Sequence, residues 1–278
     1  MSETKKWEVR ENEISESDPL TFQTLDWFCE DVKNDSTEYL EYKIFVFGIN
    51  TIGKSVTLCI NEFYPFFFIE VPISWDSSCI YSVKESLGFK SIKSMEYLER
   101  KRYYGFENNK IRKFLKLTFY SSKAMRYVRY RIADSEFRIS GVPYKFPLYE
   151  ANIDPLLRLT HMRDILTAGW VTINKYSFNN DSGTLECSWK AINNCDKSEY
   201  NNQLSDIRVL YFDIEACSED GSFPNALKKN DRVTQICCIV KDSVTKKVNK
   251  YLFNLGTCDP IDSTVVLQFK TEKQLLID

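Results

Sequence analysis

Two carboxylates one residue apart, Asp213 and Glu215, are the residues of this chain best suited to chemistry. They stand at the end of Ile207–Ile214, which is apolar up to the acids apart from Arg208. Its β-branched and aromatic content is that of a strand buried on both faces. Strand side chains alternate, so both carboxylates share one face with Val209 and Tyr211. Leu210, Phe212 and Ile214 take the other face and are expected in a core. Two buried acids this close repel unless they share a proton or a cation, and hard cations take oxygen ligands. A divalent metal is the natural resolution, although Asp-x-Glu alone is also what an ordinary polar strand end looks like.

The second candidate chemistry is electrostatic. Net charge is only −2, but residues 90–131 hold thirteen Lys/Arg against three Glu, a local +10 that leaves the rest of the chain at −12. Within this block lie Arg100-Lys101-Arg102-Tyr103 and Arg112-Lys113. Interleaved cations and rings neutralise phosphates and stack bases. A solvated surface balancing the acidic remainder has the same composition, and the sequence leaves both readings open. These six residues, with Phe223 in the loop after the acids, are the candidates for contacting nucleic acid.

Other chemistries recede. The single histidine, His161, leaves no His-rich metal site and makes a His-dependent triad improbable; it reads as a packed or surface residue. Nine cysteines lack C-x-x-C spacing, and the adjacent Cys237 and Cys238 point to opposite sides of a strand, so reduced thiols are the simplest reading. The N-terminus is polar throughout, and the longest apolar run, near Phe63–Ile73, is too short to span a bilayer. A soluble intracellular protein without a membrane partner is the expectation.

Several elements must position these residues. Residues 1–18 read as a tail. Strands are expected at Leu20–Trp27 and Tyr42–Phe47, with a turn at Thr51–Lys54 and a hairpin partner at Ser55–Ile60. The aromatic strand Phe63–Ile69 reads as core rather than as a base-stacking surface. Short helices are expected at Ser82–Leu87 and Ser121–Asp134, the latter with Arg126 and Arg129 on one face. Asp154 caps a helix that begins at Pro155, with Leu156, Leu157 and Leu159 available for burial, and Trp170–Ile173 is strand-like. Arg158 and Arg163 read as salt-bridge residues in preference to phosphate contacts. Asn174–Asp206 is Asn- and Ser-rich, without apolar periodicity, and reads as a linker or surface ribbon anchored at Trp189. After the acidic strand come Val233–Val240, Lys250–Phe253 and Thr264–Phe269. Thr271-Glu272-Lys273-Gln274 is a capping box announcing a helix.

The segment FDIEACSEDGSFPNA followed by DRVTQI resembles the first exonuclease motif of family B DNA polymerases and the next strand of their proofreading domain. Ala216 is a mild departure, since Cys is common there in the family. FGINTIGKSVTL with the aromatic strand, the basic segment leading to Phe114-Leu115-Lys116, and Glu150-Ala151-Asn152-Ile153 with its Leu-Arg helix and Gly-Trp strand resemble the delta-type branch and its large-DNA-virus relatives. The resemblance implies an α+β or α/β chain: a β-rich N-terminal domain over 19–203, with a connecting ribbon, and the first strands of a ribonuclease-H-like 3′–5′ exonuclease domain over 204–278. It implies Asp213 and Glu215 as catalytic metal ligands, Asp213 bridging two Mg²⁺ or Mn²⁺ ions and Glu215 holding one.

The family's two further aspartates and tyrosine have no counterpart in 216–278; Glu219 and Asp220 read as solvated turn acids. The capping box so near Asp278 leads to the expectation of a domain cut open, matching the first third of such an enzyme and inactive by itself. Partners implied are the DNA primer 3′ end, single-stranded template, the remainder of the polymerase in cis or as a second chain, and a sliding-clamp-type processivity factor. The expected setting is a host nucleus or cytoplasmic replication site. The alternatives are a non-catalytic DNA-binding module or a subunit of a split polymerase.

Overall fold

In the computed structural model of the chain, the described residues are 19–34, 39–87, 90–102, 105, 107–195, 200 and 203–277. The tail expected at 1–18 and the candidate Tyr103 lie outside them. The chain divides into two compact units, residues 1–50 with 54–201, and residues 202–278 with 51–53.

The first unit contains a seven-stranded sheet built on long antiparallel β1 (Leu20–Lys33) and β2 (Leu40–Asn50), with β3 (Ser55–Asn61) returning through Gly53 at φ 75°. A backbone with positive φ there suits glycine, which has no Cβ to clash. β10 (Trp170–Ile173) pairs with β1. The stretch Asn174–Asp206 departs from the expected ribbon. It contains β11 (Ser177–Asn179), β12 (Thr184–Ser188) and β13 (Ile192–Asn194), giving the order β11-β12-β3-β2-β1-β10-β13. Leu185, Cys187 and Ile192 are buried with Phe22, Ile44, Leu58 and Ile173 in one core. These strands are too short for periodicity to be read in sequence; a remote partner, β3 alongside β12, stabilises them. Trp189 meets Phe63 edge-on, at 5.7 Å between ring centres.

A four-stranded sheet, ordered β5-β6-β4-β9, is formed by β4 (Phe66–Val71), β5 (Ile92–Lys101), β6 (Ile111–Phe119) and β9 (Leu148–Tyr149). With α1 (Ser77–Leu87) and α2 (Ser122–Asp134) it makes a split β-α-β layer, and β7 (Phe137–Ile139) and β8 (Val142–Tyr144) form a separate hairpin. Period-two alternation sends Phe67, Ile69 and Val71 into a core with Val83, Leu115, Leu117, Val128 and Ile132. α1 starts five residues earlier than expected, because the Asp76 carboxylate accepts from the Ser78 N–H at 2.9 Å.

Next is α3 (Pro155–Met162). Asp154 Oδ1 accepts from the N–H groups of Leu156 (2.8 Å) and Leu157 (3.3 Å), and proline at the first position loses no useful donor. Asp154→Ala is expected to lower stability by about 1 kcal/mol, read as a shifted urea midpoint with an unchanged slope. Leu159 is buried as expected, but Leu157 is exposed because it points away from the sheet. Arg158 forms the anticipated ion pair, with Glu150 at 2.5 Å. Arg163 instead donates to the carbonyl oxygens of Ile192 and Lys190, tying the end of α3 to β13.

The second unit is one sheet. β14 (Arg208–Cys217), β15 (Arg232–Asp242) and β16 (Val248–Leu255) are antiparallel, and β17 (Val265–Phe269) joins parallel to β16. α4 (Glu272–Ile277) follows, opened by Thr271 Oγ1, which accepts from the Gln274 N–H at 3.3 Å. No helix among the described residues is long and apolar enough to cross a membrane.

Candidate metal site and basic surface

Asp213 and Glu215 lie opposite Cys237 and Gln235 across the β14–β15 ladder, which keeps both acids on one face of β14. The ladder shifts register between Glu215 and Ala216, directly after the second acid. Such a bulge bends a strand and re-aims the side chains beside it. Asp213 Oδ1 accepts from the Ile214 N–H at 3.0 Å. Among the described residues neither carboxylate has a Lys or Arg partner, so their oxygens face solvent without a compensating cation. This donor set suits a hard divalent ion whose remaining positions are water or phosphate oxygen. Among the described residues no group of three or more His, Cys, Asp or Glu converges to hold a metal.

One expectation about this strand fails. β14 is buried on neither face: Leu210 and Phe212 are 55% and 65% exposed, and Ile214 is exposed as well. β14 is one edge of its sheet, and α4 packs on the other three strands, β15, β16 and the opposite edge β17. Nothing among the described residues of this unit lies over the β14 apolar face, so strand composition overstated burial. The two acids are likewise exposed, and mutual desolvation does not act on them here.

The loop after β14 organises itself. Asp220 accepts from Lys228 Nζ at 2.9 Å, Ser218 Oγ at 2.7 Å and the Ser222 N–H at 2.9 Å. Lys228 first, then these donors, hold its carboxyl far below the usual range. Glu219 accepts from Asn230. Both acids are turn residues, as read from sequence. Phe223 stands 92% exposed on this loop.

The basic candidates separate into two groups. Arg100 and Lys101 are exposed at the end of β5; Arg100 Nη1 donates to the Glu99 carbonyl and Lys101 Nζ to Asn109 Oδ1. Arg102 and Arg112 are engaged within the protein. Arg102 grips Glu70 through Nε at 2.9 Å and Nη2 at 2.7 Å and reaches Glu107 through Nη1 at 2.9 Å. Arg112 meets the same Glu107 at 2.9 Å and Glu70 at 3.6 Å, and the Tyr149 hydroxyl donates to Glu70 at 2.7 Å. Lys113 donates to the Trp75 carbonyl and lies 4.5 Å from the Tyr97 ring centre. The sequence carried no signal for Glu70 as the hub, because it is 32 residues from Arg102.

Two consequences follow for this sheet face. Its rings are covered: Phe66 is buried beneath the Arg158 guanidinium at 4.2 Å, and Phe114 meets Tyr149 edge-on at 5.1 Å. The aromatic strand is therefore core, as expected, and offers no open stacking platform. Second, Glu107 titrates below its ordinary 4.5; partial burial opposes this, but Arg112 and Arg102 outweigh it. A depressed carboxyl stabilises the fold above its unfolded value and loses that contribution as pH falls through its folded value. Glu107→Gln is expected to melt below the parent at pH 7, and the gap to close as the pH falls from 4.5 through the lower folded value.

Residues 146–278 match the family model described as DNA polymerase family B, exonuclease domain. The chain is similar to a DNA polymerase of Pyramimonas orientalis virus, 28% identical over 77% of this chain and 19% of that protein. It is also similar to the DNA polymerase delta catalytic subunit of Arabidopsis thaliana, 27% identical over 84% of this chain and 23% of that one. The structure of the family B DNA polymerase from the archaeon Pyrobaculum calidifontis superposes with a TM-score of 0.60 at 22% identity, covering 86% of this chain and 27% of that one, a likeness of fold. The chain spans about a fifth of the length of the curated relatives it matches.

Proposed function

We propose, from the premise that residues 146–278 belong to the exonuclease domain of DNA polymerase family B, that this chain is the amino-terminal part of a replicative DNA polymerase. In this reading residues 19–203 form the N-terminal domain, with β11, β12 and β13 in place of the expected connecting ribbon, residues 204–278 open the 3′–5′ exonuclease domain, and 1–18 are a tail. The observation that carries the reading is the pair of uncompensated carboxylates, Asp213 and Glu215, on one face of β14 within the matched stretch. Use of a divalent metal goes with this exonuclease domain; two Mg²⁺ or Mn²⁺ ions are the specific proposal.

Asp213 and Glu215 would hold those ions, with Asp213 shared between them, and would thereby position the terminal phosphodiester of a DNA strand. When bound, the ions acidify the attacking water and stabilise charge on the phosphate oxygens. What the side chains contribute is negative charge held on a rigid strand, aimed by the adjoining bulge, with no ion-pair partner among the described residues competing for it. The partners in this reading are the primer 3′ end, single-stranded template, the remaining polymerase domains and a sliding-clamp-type processivity factor, at a nuclear or cytoplasmic site of viral DNA replication. This chain alone is expected neither to add nucleotides nor to degrade DNA appreciably.

The test is made on the polypeptide in which this chain continues. It is expected to extend a primed template and, with Mg²⁺ and no nucleotides, to release mononucleotides from the 3′ end of single-stranded DNA. Extension without any 3′ release would overturn the metal-site assignment. Strong Mg²⁺-dependent degradation by the 278-residue chain alone would overturn the claim that it needs the remaining domains.

A further inference from the structure

We infer that the outer face of α2 is a binding surface for single-stranded nucleic acid, with Lys123 and Arg126 on phosphates and Tyr127 and Tyr130 against bases. It rests on the proposed polymerase reading only for which strand arrives there. The four residues are spaced i, i+3, i+4, i+7 and form one stripe along the helix, opposite the buried Met125, Val128 and Ile132. Tyr127 and Tyr130 are 57% and 59% exposed, and Arg129 lies 5.1 Å from the Tyr130 ring centre, so more than half of each side chain is accessible to a base. Along the stripe the two cations, Lys123 and Arg126, come first and the two rings, Tyr127 and Tyr130, follow on the same side of the helix.

The charge is uncompensated. Lys123, Arg126, Arg129 and Arg131 follow one another without an acid until Asp134. Among the described residues none of the four forms an ion pair, whereas Arg102 and Arg112 in the same unit are neutralised by Glu70 and Glu107. Like charges three residues apart destabilise a helix, so an unneutralised run is a cost that an anionic partner removes. The acid nearest the helix start, Asp31, accepts from Ser122 N (2.8 Å), Ser122 Oγ (3.0 Å) and Lys123 N (2.9 Å), and so serves as a cap.

The ground on either side of the stripe fits the same ligand. On one flank a cavity of about 340 Å³ is walled by Tyr39, Leu40, Tyr120 and Tyr127, with Lys123 at its edge. Tyr39 and Tyr120 stack there at 5.0 Å, and Lys93 Nζ sits 4.8 Å from the Tyr120 ring centre. A flat aromatic-walled slot bordered by ammonium groups suits a nucleobase next to its phosphate. On the other flank Arg126 and Arg129 line a cavity of about 320 Å³ with Ser122, Asn152 and Pro155. Asp154 also borders it, with Oδ1 accepting from the first turn of α3. Two guanidiniums three residues apart there present donors to a phosphate. The open sheet of the split β-α-β layer cannot take this role, because its rings are already covered by Arg158 and Tyr149.

The test measures anisotropy of a labelled twelve-residue oligothymidylate with the 278-residue chain across a salt series. The parent is expected to bind at low salt. Lys123→Ala/Arg126→Ala is expected to make the dependence of log K on log salt shallower by about 1.4, two single-strand phosphates at about 0.7 each. Tyr127→Ala and Tyr130→Ala are each expected to weaken binding about 10-fold with the slope unchanged. An oligouridylate arm separates DNA from RNA, and binding of either supports the surface. Variants that bind like the parent, or a parent that prefers duplex, would overturn the inference. The substituted side chains are on the surface, and matching thermal melts establish that the variants are folded. The series is run in EDTA without divalent metal, so ion binding at Asp213 and Glu215 is not engaged and failure at the metal site and failure at α2 are read separately.

Discussion

On the proposed polymerase reading, Asp213→Asn in the polypeptide in which this chain continues is expected to lower Mg²⁺-dependent 3′–5′ hydrolysis of single-stranded DNA by more than about 100-fold, with primer extension retained. Replacing even the outer partners of metal ligands costs about 10- to 100-fold in affinity or activity, so loss of a residue that would itself hold the ions is expected to exceed that range. The amide keeps the shape of the side chain and its acceptor toward the Ile214 N–H, while removing the charge that attracts the ion. Glu215→Gln is expected to act in the same direction, and the double variant to be little worse than either single one, because residues serving one centre are not additive. The decisive readout is a metal titration. A variant that regains full activity at high Mn²⁺ has weakened the site, and one that hydrolyses like the parent at every metal concentration shows that Asp213 is not a ligand.

Glu70→Ala is expected to be the most damaging single change to the first unit, lowering stability by about 3 kcal/mol. Glu70 is 8% exposed and receives two nitrogen donors from Arg102, the Tyr149 hydroxyl at 2.7 Å and, at 3.6 Å, the charge of Arg112. Removing it takes the acceptor from the Tyr149 hydroxyl and the two-point partner from Arg102, and leaves two part-buried guanidiniums sharing the single carboxylate of Glu107. Breaking a buried pair costs more than the pair contributes, since the surviving charges stay desolvated. A melting point lower by roughly 6 to 12 °C is the expected observation for a unit of this size. The companion variant Arg112→Ala is expected to cost less, because Arg102 still satisfies Glu70. Equal losses in the two would mean that Arg112, not Glu70, is the centre of the cluster. A weakened oligonucleotide affinity in folded Arg112→Ala would restore that residue to the nucleic-acid surface.

Much of what surrounds the acids follows from rules that act over a few residues. The two carboxylates share a face because strand side chains alternate, and no distant contact is needed for that. Pro155 behind Asp154, the capping box from Thr271 to Gln274, and the cation–tyrosine stripe of α2 are equally local, each set by neighbours within two turns. The motif around Asp213 is continuous in sequence for the same reason: the two proposed ligands and the strand that orients them lie side by side.

Tertiary structure decided the rest, wherever the outcome depends on a partner remote along the chain. Arg102 and Arg112 have the composition of a phosphate-binding surface, yet the strand carrying Glu70 lies alongside β6 and engages them. Coulomb attraction acts through space, so the charge count of 90–131 could not distinguish these arginines from those on α2, which form no ion pair among the described residues. β11, β12 and β13 are strands only because longer strands offer them free edges, which their three to five residues could not announce. The apolar side chains of β14 promised a buried strand, and position at the sheet edge left them exposed. Period and capping are properties of a segment. Burial and charge pairing are properties of what the fold sets beside it.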